Sequence, residues 1–130
     1  EERFRTIFES APIGMVITGA ERQIVDSNQA FQDLVGYTQA ELATMTFADI
    51  THPDDMAKSQ EISRNLRAGG QRHYTIEKRY LHKSGRIVWA VTSTFALYDS
   101  HGAYKNAVIL ITDISERIQA EAALRQSEER

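Results

Sequence analysis

Residues 73–112 constrain this chain more than any other stretch, because their hydrophobic period is two. Tyr74, Ile76 and Tyr80 alternate with Thr75, Glu77 and Arg79, Lys83-Ser84-Gly85 makes a turn, and Ile87, Trp89, Val91 and Phe95 alternate on the return. Asp99-Ser100-His101-Gly102 turns the chain again, into a third run over residues 104–112. Strands joined by such short turns pair antiparallel, and a sheet of this kind hides one face beneath other elements. The preceding residues must supply that cover.

They read mainly as short helices. Phe4, Ile7, Phe8 and Ala11 share one face of an N-terminal helix that Pro12 ends. Residues 13–18 and 23–25 are β-rich, and Gly19-Ala20-Glu21-Arg22 between them reads as a hairpin turn whose glycine supplies a positive φ. Ala30, Phe31, Leu34 and Val35 form a helical stripe stopped by Gly36, and Thr38 with Glu41 has capping-box spacing. His52-Pro53-Asp54-Asp55 starts a longer helix to Ala68, ended by Gly69-Gly70, and Asp113 with Glu116 predicts a capping box on a last helix. Five strands with these helices make an α+β domain: one antiparallel sheet with the short helices on one face.

Composition narrows the function. A length of 130 residues is one domain, and a net charge of −3 with no basic stripe removes the electrostatic footprint of nucleic-acid binding. The absence of cysteine excludes disulfides, thiolate metal sites, cysteine nucleophiles and any cysteinyl–chromophore adduct. The longest strongly apolar run, residues 107–111, is too short to span a bilayer, so a soluble, cytoplasmic piece is expected, from a parent chain that could itself be membrane-anchored. A start in mid-helix without methionine reads as a fragment of a longer protein.

The order of elements and an ordered set of motifs resemble the PAS domain of bacterial multidomain signalling proteins, of the PAS–PAC or sensory-box type. The residues are Phe4-Arg5-Thr6-Ile7-Phe8-Glu9-Ser10-Ala11-Pro12-Ile13-Gly14-Met15, Val25-Asp26-Ser27-Asn28-Gln29-Ala30-Phe31, and Gly36-Tyr37-Thr38 with Glu41-Leu42. His52-Pro53-Asp54-Asp55, Glu77-Lys78-Arg79-Tyr80, Lys83-Ser84-Gly85-Arg86-Ile87-Val88-Trp89 and Asp113-Ile114-Ser115-Glu116-Arg117 complete the set, which covers essentially the whole chain. The resemblance implies a five-stranded sheet in the order 2-1-5-4-3, a pocket between sheet and short helices, and output through flanking helices. It divides the chain into an N-terminal flanking helix (1–12), a PAS core (13–112) and a C-terminal signalling helix (113–130). Glu128-Glu129-Arg130 repeats Glu1-Glu2-Arg3 at a period of 127 residues, which reads as the start of a neighbouring PAS domain.

Candidate chemistry is sparse. His52, His73, His82 and His101 offer no helical i,i+4 pair, and His52 sits where a helix cap is needed. Haem-binding PAS domains resemble one another in a histidine within the long helix; residues 54–68 have none, which disfavours haem. Noncovalent flavin or a small metabolite remains open. Asp54-Asp55, or Glu77 with His73, are read as scaffold and not as an acid–base pair, because no activated nucleophile or phosphate loop accompanies them. No catalytic residue is assigned.

A pocket is expected from inward-facing Ile17, Val25, Phe31, Leu34, Met45, Met56, Ile62, Ile76, Trp89, Val91 and Ile109, with Ser59, Ser63 and Thr92 as polar anchors. A fully packed core is the alternative. Asp113, Ser115 and Glu116 are the expected signal junction, and Glu121 with Arg125 an i,i+4 ion pair. Phe4, Ile7, Phe8 and Ala11 are the expected interface of a homodimer. The resulting expectation is a sensory or regulatory module feeding a downstream effector such as a histidine kinase. A ligand-free dimerisation or spacer domain in a tandem array, or a module of a diguanylate cyclase, is the alternative.

Overall fold

The computed structural model describes residues 2–129, so Glu1 and Arg130, the outer residues of the terminal repeat, lie outside the described residues. The chain runs α1 (Glu2–Ser10), β1 (Gly14–Thr18), β2 (Ile24–Ser27), α2 (Gln29–Val35), α3 (Gln39–Leu42), a 3-10 turn (Phe47–Ile50), α4 (Pro53–Arg67), β3 (His73–Leu81), β4 (Ile87–Tyr98), β5 (Tyr104–Asp113) and α5 (Ser115–Glu128). The five strands form one sheet, ordered β2-β1-β5-β4-β3, with every neighbouring pair antiparallel.

Local chemistry explains the helix ends. Gly36 closes α2 at φ 79°, where a residue with a Cβ is strained. Thr38 and Glu41 form the expected capping box on α3. The Asp54 N–H donates to His52 Nδ1 at 3.1 Å, so this histidine caps α4 ahead of Pro53. Buried Asn28 holds three elements together: its Oδ1 accepts the N–H groups of Met15 and Phe31 at 2.8 and 3.1 Å, and its Nδ2 donates to the Ile13 carbonyl at 2.9 Å.

Two turn expectations need correction. In the β1–β2 hairpin Arg22, and not Gly19, takes the positive φ, at 70°. At α5 no capping box forms between Asp113 and Glu116: Ile114 occupies the N-cap, and Asp113 Oδ1 accepts the Ser115 N–H at 2.8 Å.

Cross-strand pairing fixes which residues share a face. Tyr80 stands opposite Val88, Lys78 opposite Ala90 and Ile76 opposite Thr92, while Thr94 pairs with Ile109 and Val16 with Ile109 from the other side. The inner face of β4 is therefore Val88, Ala90, Thr92 and Ala96, all buried, and Trp89 and Val91 lie on the outer face. In β1 the buried residues are Gly14, Val16 and Thr18, which turns Ile17 outward as well. Val25 is the extra residue of a bulge, because Ile17 pairs with Asp26 while the next residue, Thr18, pairs with Ile24; it is 55% exposed.

The helices cover the inner face unevenly. One half is a packed cluster of Val16, Ile24, Phe31, Val35, Leu42, Ile50, Tyr80, Val88, Ala90, Ile109 and Ile111. Phe31, Phe47 and Tyr80 meet there with ring centroids 5.9–6.2 Å apart. The other half, beneath α4, holds a smaller cluster of Ile62, Leu66 and Ala96.

Candidate functional site: a cavity under α4

Between α4 and the sheet the packing is incomplete, and a cavity of about 190 Å³ remains. Met56, Ser59, Ile62, Ser63 and Leu66 project from α4, facing Ile76 and Lys78 of β3, Thr92 and Thr94 of β4, and Ala107 and Ile109 of β5. Phe47 and Thr51 close the end nearest the packed cluster.

The two ends of α4 are tied, which holds the helix in place over the hollow. At its start, Asp55 accepts the Arg79 backbone N–H at 2.7 Å on Oδ2, and the Arg79 guanidinium on both oxygens at 3.0 and 2.8 Å. These charge-assisted bonds hold the Asp55 carboxyl below the usual carboxylate range. At its end the Tyr98 hydroxyl donates to the Leu66 carbonyl, and the Arg67 guanidinium lies 5.7 Å from the centre of the Tyr104 ring.

Lys78 is the unusual residue in the wall. It is only 4% exposed, its Nζ donates to Ser59 Oγ at 3.3 Å, and the ammonium lies 4.8 and 5.4 Å from the ring centres of Tyr80 and Phe47. Burial pushes its pKa down to about 8, opposed by the charge of Asp55. Among the described residues Lys78 has no ion-pair partner, since Asp55 is engaged by Arg79. Next to it the Tyr80 hydroxyl and Thr92 Oγ1 are hydrogen-bonded at 2.8 Å, and burial raises the Tyr80 phenol well above its ordinary value. At the rim Arg22 Nη1 reaches Ser63 Oγ at 3.5 Å. The charged lining residues are thus Arg22, Arg67 and Lys78 against Glu21, a basic pocket on an acidic chain.

Seven of the expected pocket residues line this cavity: Met56, Ser59, Ile62, Ser63, Ile76, Thr92 and Ile109. Phe31, Leu34 and Met45 sit in or against the packed cluster instead. Ile17, Val25, Trp89 and Val91 are excluded from the cavity by strand register and the β2 bulge. Lys78 was missed, although the alternation Tyr74, Ile76, Tyr80 places it on the inner face; a lysine interrupting an apolar period was the available signal.

The junction residues lie together at the other side of the sheet. Ser115 Oγ accepts the Trp89 N–H at 3.3 Å and the Ile114 N–H donates to the Trp89 carbonyl at 2.9 Å, which fixes the start of α5 to β4. Arg117 pairs with Glu77 of β3 at 3.0 Å and with Glu121 at 3.6 Å, so Glu121 is engaged by Arg117 and not by the expected Arg125. The Arg79 guanidinium lies 4.9 Å from the centre of the Trp89 ring. Glu116 is exposed. Of the expected dimer residues, Phe8 is fully buried within its own chain and stacked on Phe4 at 5.5 Å, so it is a core residue and no free interface. Phe4 and Ile7 remain exposed, and Ala11 is half-buried.

No histidine lines the cavity, and His52 Nδ1 is committed to the Asp54 N–H. Trp89 on the outer face offers no stacking surface for a flavin, and the volume falls below the roughly 300 Å³ where pockets for larger ligands begin. His73 stacks on Phe95 at 5.3 Å, and Glu77 is engaged by Arg117. Among the described residues there is no cluster suited to a metal ion, and no helix is long and apolar enough to cross a membrane.

Known proteins are similar to this chain in sequence and in fold. A family model described as the PAS fold matches residues 24–109. The sensor histidine kinase TmoS of Ectopseudomonas mendocina is 32% identical over 127 residues, 97% of this chain and 13% of that protein. The probable diguanylate cyclase DgcE of Escherichia coli strain K12 is 33% identical over 130 residues, all of this chain and 12% of that protein. The chain therefore spans about an eighth of the length of these curated relatives. Among solved structures, the PAS domain of a protein from Colwellia psychrerythraea superposes with a TM-score of 0.80 at 22% identity, covering 88% of this chain and 97% of that one.

Proposed function

Because the chain belongs to the PAS family, a family found here in sensor kinases and a diguanylate cyclase, we propose that it is a non-catalytic sensory module whose cavity under α4 takes a small molecule. The observation that carries this reading is the contrast within one sheet face: one half is filled by aromatic and aliphatic side chains, while the other is hollow and lined by Ser59, Lys78 and Thr92. Packed interiors hold few voids larger than a water molecule, which makes a hollow with convergent polar groups the natural candidate for a binding site.

Transmission follows from the strands that carry the wall. β3 presents Lys78 inward and its neighbours Glu77 and Arg79 outward, toward Arg117 of α5 and the Trp89 ring. A ligand that prefers one arrangement of β3 and α4 shifts the position of α5, and only by that preference. The downstream effector is proposed to be a histidine kinase or diguanylate cyclase domain of the same parent chain, and the division into residues 1–12, 13–112 and 113–130 is kept for this role. A homodimer is a second reading, supported by exposed Phe4 and Ile7 on α1 and by exposed Phe95 and Leu97 on the outer sheet face.

Native mass spectrometry of the chain purified from its host, with a visible spectrum of the same sample, tests the first reading. A bound small mass is the expected result. A clean ligand-free dimer that binds no small molecule when re-screened against host metabolites would overturn it in favour of dimerisation.

A further inference from the structure

We propose that the molecule bound under α4 is a small organic carboxylate, its carboxylate held by Lys78 and Ser59 and its apolar body lying between Ile62, Ile76 and Ile109. The proposal rests on the pocket reading above and narrows it to a chemical class.

An ammonium group has three donors, and among the described residues the hydrogen-bond partner of Lys78 Nζ is the Ser59 hydroxyl. Removing such a group from water without a counter-ion is unfavourable, and the flanking rings of Tyr80 and Phe47 compensate only in part. The ordinary solution is a carboxylate from the chain itself. Here the near carboxylate, Asp55, is spent on Arg79 through both oxygens, and although burial lowers the Lys78 pKa to about 8, that value still lies on the alkaline side of neutral. The missing counter-charge is therefore best supplied from outside. The rim agrees, since Arg22 and Arg67 outnumber Glu21 among the lining charges and favour entry of an anion.

Size and polarity set the rest. A cavity of about 190 Å³ is a little larger than the ~150 Å³ that holds a benzene-sized guest, so an aromatic monocarboxylate or a short-chain fatty acid fits and a nucleotide does not. The other walls are mainly aliphatic carbon, with the Thr92 and Thr51 hydroxyls engaged by Tyr80 and the Phe47 carbonyl, and Lys78 is the one buried basic group. One carboxylate matches one ammonium.

The test titrates the chain with benzoate and hexanoate, each against its neutral amide, by calorimetry, in the unaltered protein and in Lys78→Met. Both acids are expected to bind the unaltered protein at least about tenfold more tightly than their amides, the ratio that a single charge-assisted hydrogen bond confers. Lys78→Met should abolish that ratio while leaving amide binding in place, and its ligand-free melting temperature should not fall, because a buried unpaired charge is replaced by an apolar chain of similar length. Amides that bind as well as the acids would overturn the carboxylate and leave the pocket standing. Failure of all four probes would remove both the carboxylate and the pocket reading. A Lys78→Met protein that is destabilised yet binds benzoate unchanged would make Lys78 a structural residue and overturn the proposal.

Discussion

The two halves of the inner sheet face differ in what fills them. Around Phe31 the side chains of α2, α3 and the 3-10 turn interlock with Tyr80 and Val88, and Phe31, Val35, Leu42, Ile50 and Tyr80 are fully buried. Under α4 the same sheet meets a helix tied at both ends over a hollow, with a lysine in its wall. One half holds the fold together, and the other leaves space for a guest. The difference shows where sequence variation is tolerated: the packed half answers to volume, the hollow half to charge and hydrogen bonding.

Truncation should separate the halves most sharply. Phe31→Ala is expected to cost about 3–5 kcal/mol of unfolding free energy, whereas Ile62→Ala, beside an existing cavity, should cost only about 2 kcal/mol, both read by urea denaturation. Equal losses would mean that the two halves are packed alike.

Lys78 sharpens the contrast through pH. Its charged and titratable neighbours are Asp55 on α4, and Tyr80 and Arg79 on its own strand. Its folded pKa of about 8 lies below the ordinary 10.5, so between these values the unfolded chain binds the extra proton and stability rises with pH. Relative to Lys78→Met, the ligand-free protein should gain roughly 3 kcal/mol across that window, and the gain should vanish in the variant. Bound carboxylate should reduce it as well.

Much of the fold was legible in advance. Strand order followed from the family resemblance, and the capping residues Thr38, Glu41, His52 and Gly36 were readable because their hydrogen bonds join near neighbours in the chain. Trp89 and Val91 were misplaced because both faces of β4 are apolar: Ile87, Trp89, Val91 and Phe95 look like the better core, yet the smaller Val88, Ala90, Thr92 and Ala96 face the helices. Only the pairing with Tyr80 and Ile76 decides between them. Val25 needed knowledge of a bulge, and the burial of Phe8 needed the place of α1, neither of which a local period carries. The cavity itself is a volume left over after packing, and no pattern of residue types encodes it.

Smaller effects test the ties around the hollow. Asp55→Asn removes a charge-assisted clamp between α4 and β3 and should cost about 1.5–3 kcal/mol at neutral pH. The lowered Asp55 pKa makes this contribution full above the ordinary value of 3.8 and lost as pH falls through the folded value, so the two proteins should converge in acid. Glu77→Gln breaks a half-exposed pair with Arg117 and should change stability by less than about 0.5 kcal/mol, while loosening the hold of β3 on α5. Its informative readout is faster amide exchange in the first turn of α5.

The central claim is that occupation of the cavity reaches the start of α5. One NMR titration with benzoate, following the methyl groups of Met56, Ile62, Ile76 and Ile109 together with the amides of Ile114 and Ser115, tests it directly. The account predicts that both sets shift along one saturation curve, while the methyls of Val35, Leu42 and Ile50 stay in place. Cavity methyls that shift while the Ile114 and Ser115 amides do not would contradict it.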